Sequence, residues 1–337
     1  MRLLRYEPKI PNFGDDLNAT LWSTLMPGLF AESPRPTAAE EGFVGIGTII
    51  GIDPGDCRRL HVFSSGAGYT SARRWKDREV QFHCVRGPLT ARILGLADDR
   101  VLTDGAVLCP RIGRFSESPR APADTAAAVI PHYETIAFPG WAEAVRLAGF
   151  NLVDPREAPE VVISAIRRSR LVLTESLHGA ILADAFGIPW RGMAVSGNFS
   201  TIKWADWAGS LALKIDIAIV PPPDPLVLFR YGRRPEPFGA SLALDPELSL
   251  DEFRHRITTQ RETSRLKSQA KRLLEALPPA RRLLGYNAER TAAALVDLAA
   301  QEPFLSAQGK RTALQDEMLS RLDGLARQHG AELTGLL

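Results

Sequence analysis

A histidine stands at the start of an otherwise apolar helical stretch. His178 lies in "TESLHGAILADAFGIPW", directly after "RLVLT", an apolar run that predicts a buried strand. Ser176 can cap the first turn of this helix, and Gly187 and Pro189 can end it. The free N–H groups at a helix start attract anions. His178 is therefore a candidate proton donor beside a bound anion, although a core histidine bonded to a backbone carbonyl fits the same pattern.

The surroundings of His178 favour a ligand site. A neutral imidazole is expected there when the site is empty, and a bound phosphate or carboxylate would shift the balance toward the protonated form. Gly179 is small, so a ligand could approach the backbone closely. Arg86 follows the run "VQFHC", and Lys203 follows the loop after residue 190. Each cation could bind an anion or could be an ordinary surface charge.

The opening segment "NFGDDLN" is rich in short polar side chains. Asn12, Asp15 and Asp16 offer carboxylates and an amide, which suit sugar hydroxyls, and either aspartate could accept a proton from an attacking hydroxyl. An Asx turn and helix cap before "LNATLWSTL" would explain the same residues equally well.

Strand and helix patterns alternate along most of the chain. Short apolar runs predict strands, and amphipathic stretches between them predict helices. The strand runs are "GFVGIGTIIG", "LHVFSSGAGY", "VQFHCVRG", "RVLTDGAVL", "AAAVIPHYE", "NLVDP" and "RLVLT", and the helical ones include "PLTARILGL", "WAEAVRLAGF" and "EVVISAIRRS". This alternation indicates an α/β protein with doubly wound parallel sheets.

The pattern predicts two Rossmann-like domains facing a cleft, in a GT-B-like arrangement, with a helical C-terminal tail. The stretch "RFSESPRAPADTAA" (114–127) is rich in proline, serine and charge and is typical of a linker. We place the domains at residues 1–120, 121–242 and 243–337. Ligands of open parallel sheets bind at the carboxyl ends of the strands, so the site is expected in the cleft.

Composition limits the class of protein. Three scattered cysteines in 337 residues give neither a disulfide framework nor a zinc motif, and they fit a reducing compartment. The start lacks a signal-peptide pattern, and no apolar run is long enough to span a bilayer. We expect a cytoplasmic protein that needs no metal or cofactor and does not bind nucleic acid; its oligomeric state is left open.

Charge is concentrated in one segment. The formal net charge is +2, whereas residues 250–285 hold nine Lys and Arg against four Asp and Glu. An amphipathic basic helix from about Thr263 to Leu277 could pack on the protein or a second subunit, or it could rest on the anionic inner face of a membrane.

Several segments, taken in order, resemble the polysaccharide pyruvyl transferase family. "SLHGAILADAFGIPW" is similar to its Leu-His helix that ends in Gly-Ile-Pro, and "NFGDDLN" to its Asn-x-Gly-Asp opening. "GIGTII" and "SSGAGY" resemble its glycine-rich loops, "VRGPLTARILGL" and "VLTDGAVL" its next two motifs, and "VIPHYE" the opening of its second domain. The similarity runs from about Asn12 to Leu213.

The resemblance implies a reaction and a set of roles. It implies transfer of a pyruvyl group from phosphoenolpyruvate to two hydroxyls of a sugar in an exopolysaccharide or capsule repeat unit, giving a cyclic ketal and phosphate. His178 corresponds to the family's proposed general acid, and Arg86 and Lys203 to its donor-binding cations. Asn12, Asp15 and Asp16 fall on the acceptor side, where a lipid-linked oligosaccharide is the expected partner.

One position departs from the family pattern. Many members have an arginine immediately before the Leu-His pair, where this chain has Ser176, preceded by Glu175. Ser176 and Gly179 are expected at the donor, and a buried Glu175 there would have to face the sugar or pair with a cation. The residues that could replace the missing cation are His132, Arg167, Arg168 and Arg191.

Two other functions remain open at this point. The helix "SLHGAILADAFGIPW" also resembles the one with which two-domain nucleotide-sugar glycosyltransferases hold the nucleotide ribose. The missing arginine is compatible with a catalytically silent sugar-binding subunit.

Overall fold

The computed structural model describes residues 1–30, 40–116, 126–258 and 285–337. Within them, two separate sheets are flanked by helices. The first sheet has four parallel strands in the order β1-β2-β3-β4. They are β1 (Arg2–Leu4), β2 (Glu41–Val44), β3 (Arg59–Phe63) and β4 (Glu79–Cys84).

The second sheet has six strands in the order β10-β9-β8-β7-β5-β6. Only its edge strand β10 is antiparallel to its neighbour. The strands are β5 (Ala128–Ile130), β6 (Asn151–Leu152), β7 (Val172–Thr174), β8 (Trp190–Ala194), β9 (Asp216–Ile219) and β10 (Ser241–Ala243). β5, β7 and β8 are buried throughout, as expected for parallel strands covered on both faces.

Helices connect and cover the strands. The α-helices of the described residues are α1 (Phe13–Leu25), α2 (Pro88–Leu94), α3 (Gly113–Ser116), α4 (Trp141–Leu147), α5 (Pro159–Arg167), α6 (Leu177–Ala185), α7 (Thr201–Ser210), α8 (Leu226–Tyr231), α9 (Pro246–Thr258), α10 (Ala288–Ala299) and α11 (Gln308–Gln328). Short 3-10 helices cover Ala72–Trp75, Asp98–Arg100 and Gly105–Arg111.

The α/β class with parallel sheets is confirmed, and one predicted strand is wrong. In "RVLTDGAVL" only Val101 forms a bridge, with Val85. The Asp104 side chain then accepts a hydrogen bond from the Ala106 N–H at 3.0 Å and starts the 3-10 helix Gly105–Arg111. The aspartate therefore turns the backbone where apolar composition favoured a continued strand.

The predicted domain boundary near residue 120 lies outside the described residues. β1–β4 precede it and β5–β10 follow it. The helix α11 returns to the first sheet's side, where Gln315 donates a hydrogen bond to the Val107 carbonyl at 2.9 Å. Met318 and Leu322 are fully buried in a core that also contains Trp22 and Trp190. The C-terminal helix thus packs on this chain.

The predicted basic helix 263–277 also lies outside the described residues. Within the described ranges, none of the helices combines the length and apolarity needed to cross a membrane.

Candidate active site

A cavity of about 530 Å³ opens at the carboxyl ends of strands from both sheets. Its walls come from segments that follow β1, β2 and β3 in the first sheet and β5, β7 and β8 in the second. The lining side chains that bear on chemistry are Asn12, Asp15, Thr48, Tyr69, Arg74, His132, Ser176, His178 and Lys203. This is the position predicted for ligands of parallel sheets.

The helix α6 presents His178 to this cavity. The Ser176 hydroxyl caps α6 by accepting a hydrogen bond from the Gly179 N–H at 3.4 Å. The ring of His178 is only 12% exposed and lies edge-on to Phe13, with centroids 6.4 Å apart. A Cβ built on Gly14 would come within 2.0 Å of His178 Nδ1. The glycine of "NFGDD" therefore lets the start of α1 pack directly against the imidazole.

The other nitrogen of His178 faces a buried carboxylate. His178 Nε2 lies 3.9 Å from Asp104 Oδ2, and the Asp104 side chain is fully buried. Neither of these two buried atoms has a hydrogen-bond partner among the described residues. Sequence reasoning missed Asp104, because "VLTDGAVL" was interpreted as a strand and not as a turn that aims a carboxylate into the site.

Burial and charge act in opposite directions on His178. Burial is the largest effect and lowers the pKa of His178 below its usual 6.5, while the carboxylates of Asp104 and Asp15 raise it and the cations Lys203 and Arg86 lower it further. The imidazole is therefore neutral in the empty site near neutral pH. An anion bound beside it would favour the protonated form.

The opening loop contributes one carboxylate to the cavity. Asp15 lines it, and burial, as the largest effect, raises the pKa of Asp15. Asn12 caps α1 and donates a hydrogen bond through Nδ2 to Asp15 Oδ2 at 2.7 Å. Asp16 is half-buried on the same turn but does not line the cavity. Asn12 thus caps the helix and also lines the cavity beside Asp15.

Two cations of the described residues line the cavity, Lys203 and Arg74. Lys203 Nζ donates a hydrogen bond to the Tyr69 hydroxyl at 2.6 Å and lies 4.9 Å from the centre of its ring. The Lys203 stem passes close to Gly68, where a Cβ would approach it to 3.2 Å. Arg74 is exposed, and sequence reasoning missed it because nothing in its local pattern separates it from other surface arginines.

Arg86 is close to the cavity but does not line it. Its side chain is fully buried, with Nε 2.9 Å from Asp206 Oδ2 and Nη1 bonded to the Thr48 hydroxyl at 2.7 Å. A Cβ on Gly66 would lie 2.1 Å from the guanidinium carbon. The glycine-rich loop "SSGAGY" therefore makes room for a buried guanidinium, which reaches the cavity wall only through Thr48.

Two predicted ligand contacts are structural. Glu175 does not line the cavity: its carboxylate accepts hydrogen bonds from the His132 N–H at 3.0 Å, the Thr135 hydroxyl at 2.6 Å and the Val195 N–H at 3.2 Å. It ties together the ends of β5, β7 and β8. Gly179 is also absent from the lining, and a Cβ there would meet the Thr174 hydroxyl at 2.5 Å. Its small size allows α6 to pack on β7.

The suggested replacements for the missing arginine do not supply a cation. His132 lines the cavity, but burial lowers its pKa to about 3, so the ring is neutral. Arg191 lies near the amino end of β8, 2.8 Å from Asp216. Arg167 and Arg168 directly precede β7, at the strand end away from the cavity.

Comparisons with known proteins bear on the same segments. A family model described as "Polysaccharide pyruvyl transferase" matches residues 52–197. The succinoglycan biosynthesis protein ExoV of Rhizobium meliloti (strain 1021) is 35% identical to this chain over 216 residues. That match covers 63% of this chain and 66% of the relative, just short of two thirds of its length.

Proposed function

We propose that the chain is a member of the polysaccharide pyruvyl transferase family, to whose model and to ExoV it is similar, and that it transfers a pyruvyl group to a sugar of an exopolysaccharide. The donor is phosphoenolpyruvate, and the product is a cyclic ketal on two hydroxyls of the sugar. One observation carries the proposal: His178 stands at a helix start in a cavity, between two carboxylates and beside the cation Lys203.

The reaction requires two bonds to one carbon. One sugar hydroxyl attacks the carbon that bears the phosphate, and the neighbouring methylene carbon gains a proton to become a methyl group. The carbon–oxygen bond to phosphate then breaks, the second hydroxyl attacks the same carbon and loses its proton, and the ring closes. Donor and diol thus become ketal and inorganic phosphate, with no oxidant or reductant.

His178 supplies the proton to the methylene carbon. Nε2 lies toward the Asp104 carboxylate, which orients the ring for this transfer. Donor anions bound at the start of α6 raise the pKa of the ring and charge it when the substrate is present. General acid catalysis of this kind commonly contributes about 10² to 10⁴ in rate.

Asp15 accepts the proton of the attacking hydroxyl. Its raised pKa makes it a stronger base than an exposed aspartate, and it lines the cavity. Asn12 acts through Asp15, because its amide holds one carboxylate oxygen. This assignment places the acceptor on the first sheet's side, as the sequence predicts.

Lys203 and Arg74 neutralise the phosphate and carboxylate of the donor. Both line the cavity, and Ser176 lies there at the free N–H groups of α6. Arg86 does not contact the donor. Its positive charge lies behind Thr48, and its hydrogen bond fixes the Thr48 hydroxyl in the cavity wall. Arg74 thereby takes the part of the family arginine that this chain lacks at Ser176.

The wider setting is also part of the proposal. Two Rossmann-like domains facing a cleft, as in a GT-B-like protein, would bring donor and acceptor together from opposite sides. A lipid-linked acceptor at the inner face of a membrane would suit the basic segment 250–285 of a cytoplasmic protein. Equal recovery with neutral and anionic vesicles in a flotation assay would exclude the electrostatic part of this contact.

The direct test is incubation with phosphoenolpyruvate and candidate lipid-linked sugars. We expect phosphate release together with an acceptor heavier by one pyruvyl ketal, detected by mass spectrometry. His178→Gln should lower the rate by about 10² to 10⁴. His255→Gln, at an exposed position of α9, is the matched control and should leave the rate unchanged.

Ligand choice separates the other functions. Thermal stabilisation by phosphoenolpyruvate but not by UDP or GDP is expected, and the reverse pattern would identify a nucleotide-sugar glycosyltransferase. Sugar binding without any phosphate release, in the wild type as in His178→Gln, would identify a silent sugar-binding subunit.

A further inference from the structure

Three metal-ligating side chains meet on the first sheet, away from the cavity. Glu41 is the first residue of β2, His61 lies in β3, and His329 immediately follows α11. One ligand atom of each lies within 4.8 Å of the others. The three are far apart in sequence, which is why sequence spacing predicts no metal site.

The sheet places two of these ligands on one face. Side chains alternate along a strand, so Glu41 and Phe43 of β2 point to the same side. Phe43 is paired with His61 in the parallel register of β2 and β3, which brings His61 to that side as well. The end of α11 packs over them, with the His329 ring edge-on to His61 and 5.2 Å from it.

Two of the three distances between ligand atoms are close to those of tetrahedral coordination. Glu41 Oε2 lies 3.7 Å from His61 Nε2 and 3.5 Å from His329 Nδ1. Zinc bound at about 2.0–2.2 Å by nitrogen and oxygen ligands in tetrahedral geometry needs ligand atoms about 3.3–3.6 Å apart. Both contacts are longer than the roughly 2.7–3.2 Å of a typical hydrogen bond, which leaves room for a cation between the atoms.

An unpartnered buried nitrogen points into this gap. His61 is 2% exposed, and its Nε2 has no hydrogen-bond partner among the described residues. Its other nitrogen, Nδ1, lies 3.1 Å from His83 Nε2. If Nδ1–H donates to His83, the Nε2 lone pair faces the Glu41 carboxylate. Two buried acceptors that face each other are unfavourable unless a cation lies between them.

The surrounding residues orient the ligands. In the tautomer that leaves His61 Nε2 free for a metal, His83 accepts the Nδ1–H of His61, as outer partners of zinc-bound histidines commonly do. Arg59 donates to Glu41 Oε1 at 2.9 Å and leaves Oε2 for the ion.

We propose that Glu41, His61 and His329 bind one zinc ion, with water as the fourth ligand, and that this ion fastens the end of α11 to β2 and β3. Two imidazoles and one carboxylate form a set that zinc prefers over magnesium or calcium. Glu41 and His329 are 25% and 23% exposed at the side chain, so water and zinc can reach the site. The cavity lies at the carboxyl ends of the strands, and none of the three ligands lines it. The proposed zinc ion therefore has a structural role.

Calorimetric titration of the tag-free, metal-stripped protein with Zn²⁺ tests the proposal. We expect one zinc per chain, a rise in melting temperature that EDTA reverses, and no such rise with Mg²⁺ or Ca²⁺. Loss of the outer hydrogen-bond partner of a ligand costs about 10- to 100-fold in metal affinity, so His83→Gln should weaken zinc binding by that factor. His329→Gln and Glu41→Gln remove a ligand and should weaken zinc binding by about 100-fold or more.

Controls keep the result independent of folding and of catalysis. His329 and Glu41 are partly exposed, and their metal-free variants should match the metal-free wild type in circular dichroism and melting temperature. His255→Gln removes a histidine elsewhere and should bind zinc as the wild type does. Absence of stoichiometric zinc binding, or undiminished binding in His329→Gln, would overturn the proposal whatever the activity of the enzyme.

Discussion

At the scale of single residues, His178 is controlled by two carboxylates that differ in their surroundings. Asp104 is fully buried and faces Nε2, whereas Asp15 lines the cavity and interacts with Asn12. Asp104 can affect the reaction only through the imidazole, whereas Asp15 can also contact a substrate in the cavity. Asp104 is accordingly a positioning residue in the proposed reaction, and Asp15 is the candidate base.

Asp104→Asn should shift the pH dependence of the reaction. The Asp104 carboxylate raises the pKa of His178, so its removal lowers that pKa further. An acid catalyst is active when protonated, so the loss of kcat at rising pH should begin at lower pH in the variant. Asparagine keeps an oxygen for the Ala106 N–H, and the fold is therefore expected to persist. An unchanged kcat profile would remove Asp104 from the proton-donating unit.

Burial of the neutral His132 ring should make the free energy of unfolding decrease at acid pH. Its folded-state pKa of about 3 lies below its usual 6.5, so between these values the unfolded chain binds a proton that the folded chain does not. Stability contributed by the neutral ring is present above pH 6.5 and is lost as pH falls, by about 1.4 kcal/mol per pH unit. His132→Gln should reduce the decline in the free energy of unfolding between pH 6.5 and 5 by up to about 2 kcal/mol.

Urea unfolding at both pH values measures this difference. His255→Gln is the matched control, because it removes a histidine from an exposed position on α9. If both variants lose stability with acid as steeply as the wild type, the His132 ring is not held neutral by the fold.

At the scale of elements, the starts of α1 and α6 meet at the site. α1 begins at Phe13 after the Asn12 cap, and α6 begins at Leu177 after the Ser176 cap. The sequence predicted the Ser176 cap and left a cap in "NFGDD" open as one of two alternatives, since Ser and Asn before an apolar run are strong local signals. It could not show that Gly14 packs on His178, because that contact joins residues far apart in the chain.

Gly14→Ala tests this meeting of helices. The new Cβ would fall 2.0 Å from His178 Nδ1, so either the ring or the start of α1 must move. Overpacking of this kind typically costs about 1–3 kcal/mol, and a displaced acid should lower kcat by about 100-fold. Urea unfolding and phosphate release measure the two effects.

Gly28→Ala is the matched control for that substitution. Nothing lies within 4 Å of a Cβ at Gly28, so its change in stability should stay within about 0.5 kcal/mol. Equal behaviour of the two variants would mean that α1 does not hold the imidazole in place.

Local patterns predicted elements better than they predicted contacts. The helices α2, α4, α5 and α6 follow their amphipathic or capped segments. The strand predicted in "RVLTDGAVL" failed because the Asp104 side chain competes for the backbone. Glu175 was expected to face the sugar or to pair with a cation, whereas three hydrogen-bond donors from remote segments occupy its carboxylate. Such partners carry no local signal.

At the scale of the whole molecule, the parts that flank the two sheets are joined by buried polar contacts as well as by apolar packing. Asp206 of α7 accepts hydrogen bonds from Arg86 Nε at 2.9 Å, the Thr90 N–H at 2.8 Å and the Thr90 hydroxyl at 2.7 Å. Arg86 follows β4 of the first sheet, whereas α7 follows β8 of the second. The cavity lies between segments from these same two sheets, so this ion pair helps to set its width.

Asp206→Ala should destabilise the protein strongly, because it leaves the Arg86 guanidinium buried without its counter-ion. Breaking a buried pair from one side typically costs about 3–5 kcal/mol. Asp251→Ala is the matched control: its pair with Arg254 is largely exposed, and such surface pairs contribute only about 0–1 kcal/mol. Urea unfolding compares the stability of the two variants. Without Asp206 the Arg86 side chain is no longer fixed, so Thr48 loses a fixed partner and phosphoenolpyruvate binding to the folded fraction of Asp206→Ala should weaken. A loss in Asp206→Ala no larger than in the control would show that this ion pair does not hold Arg86 in place.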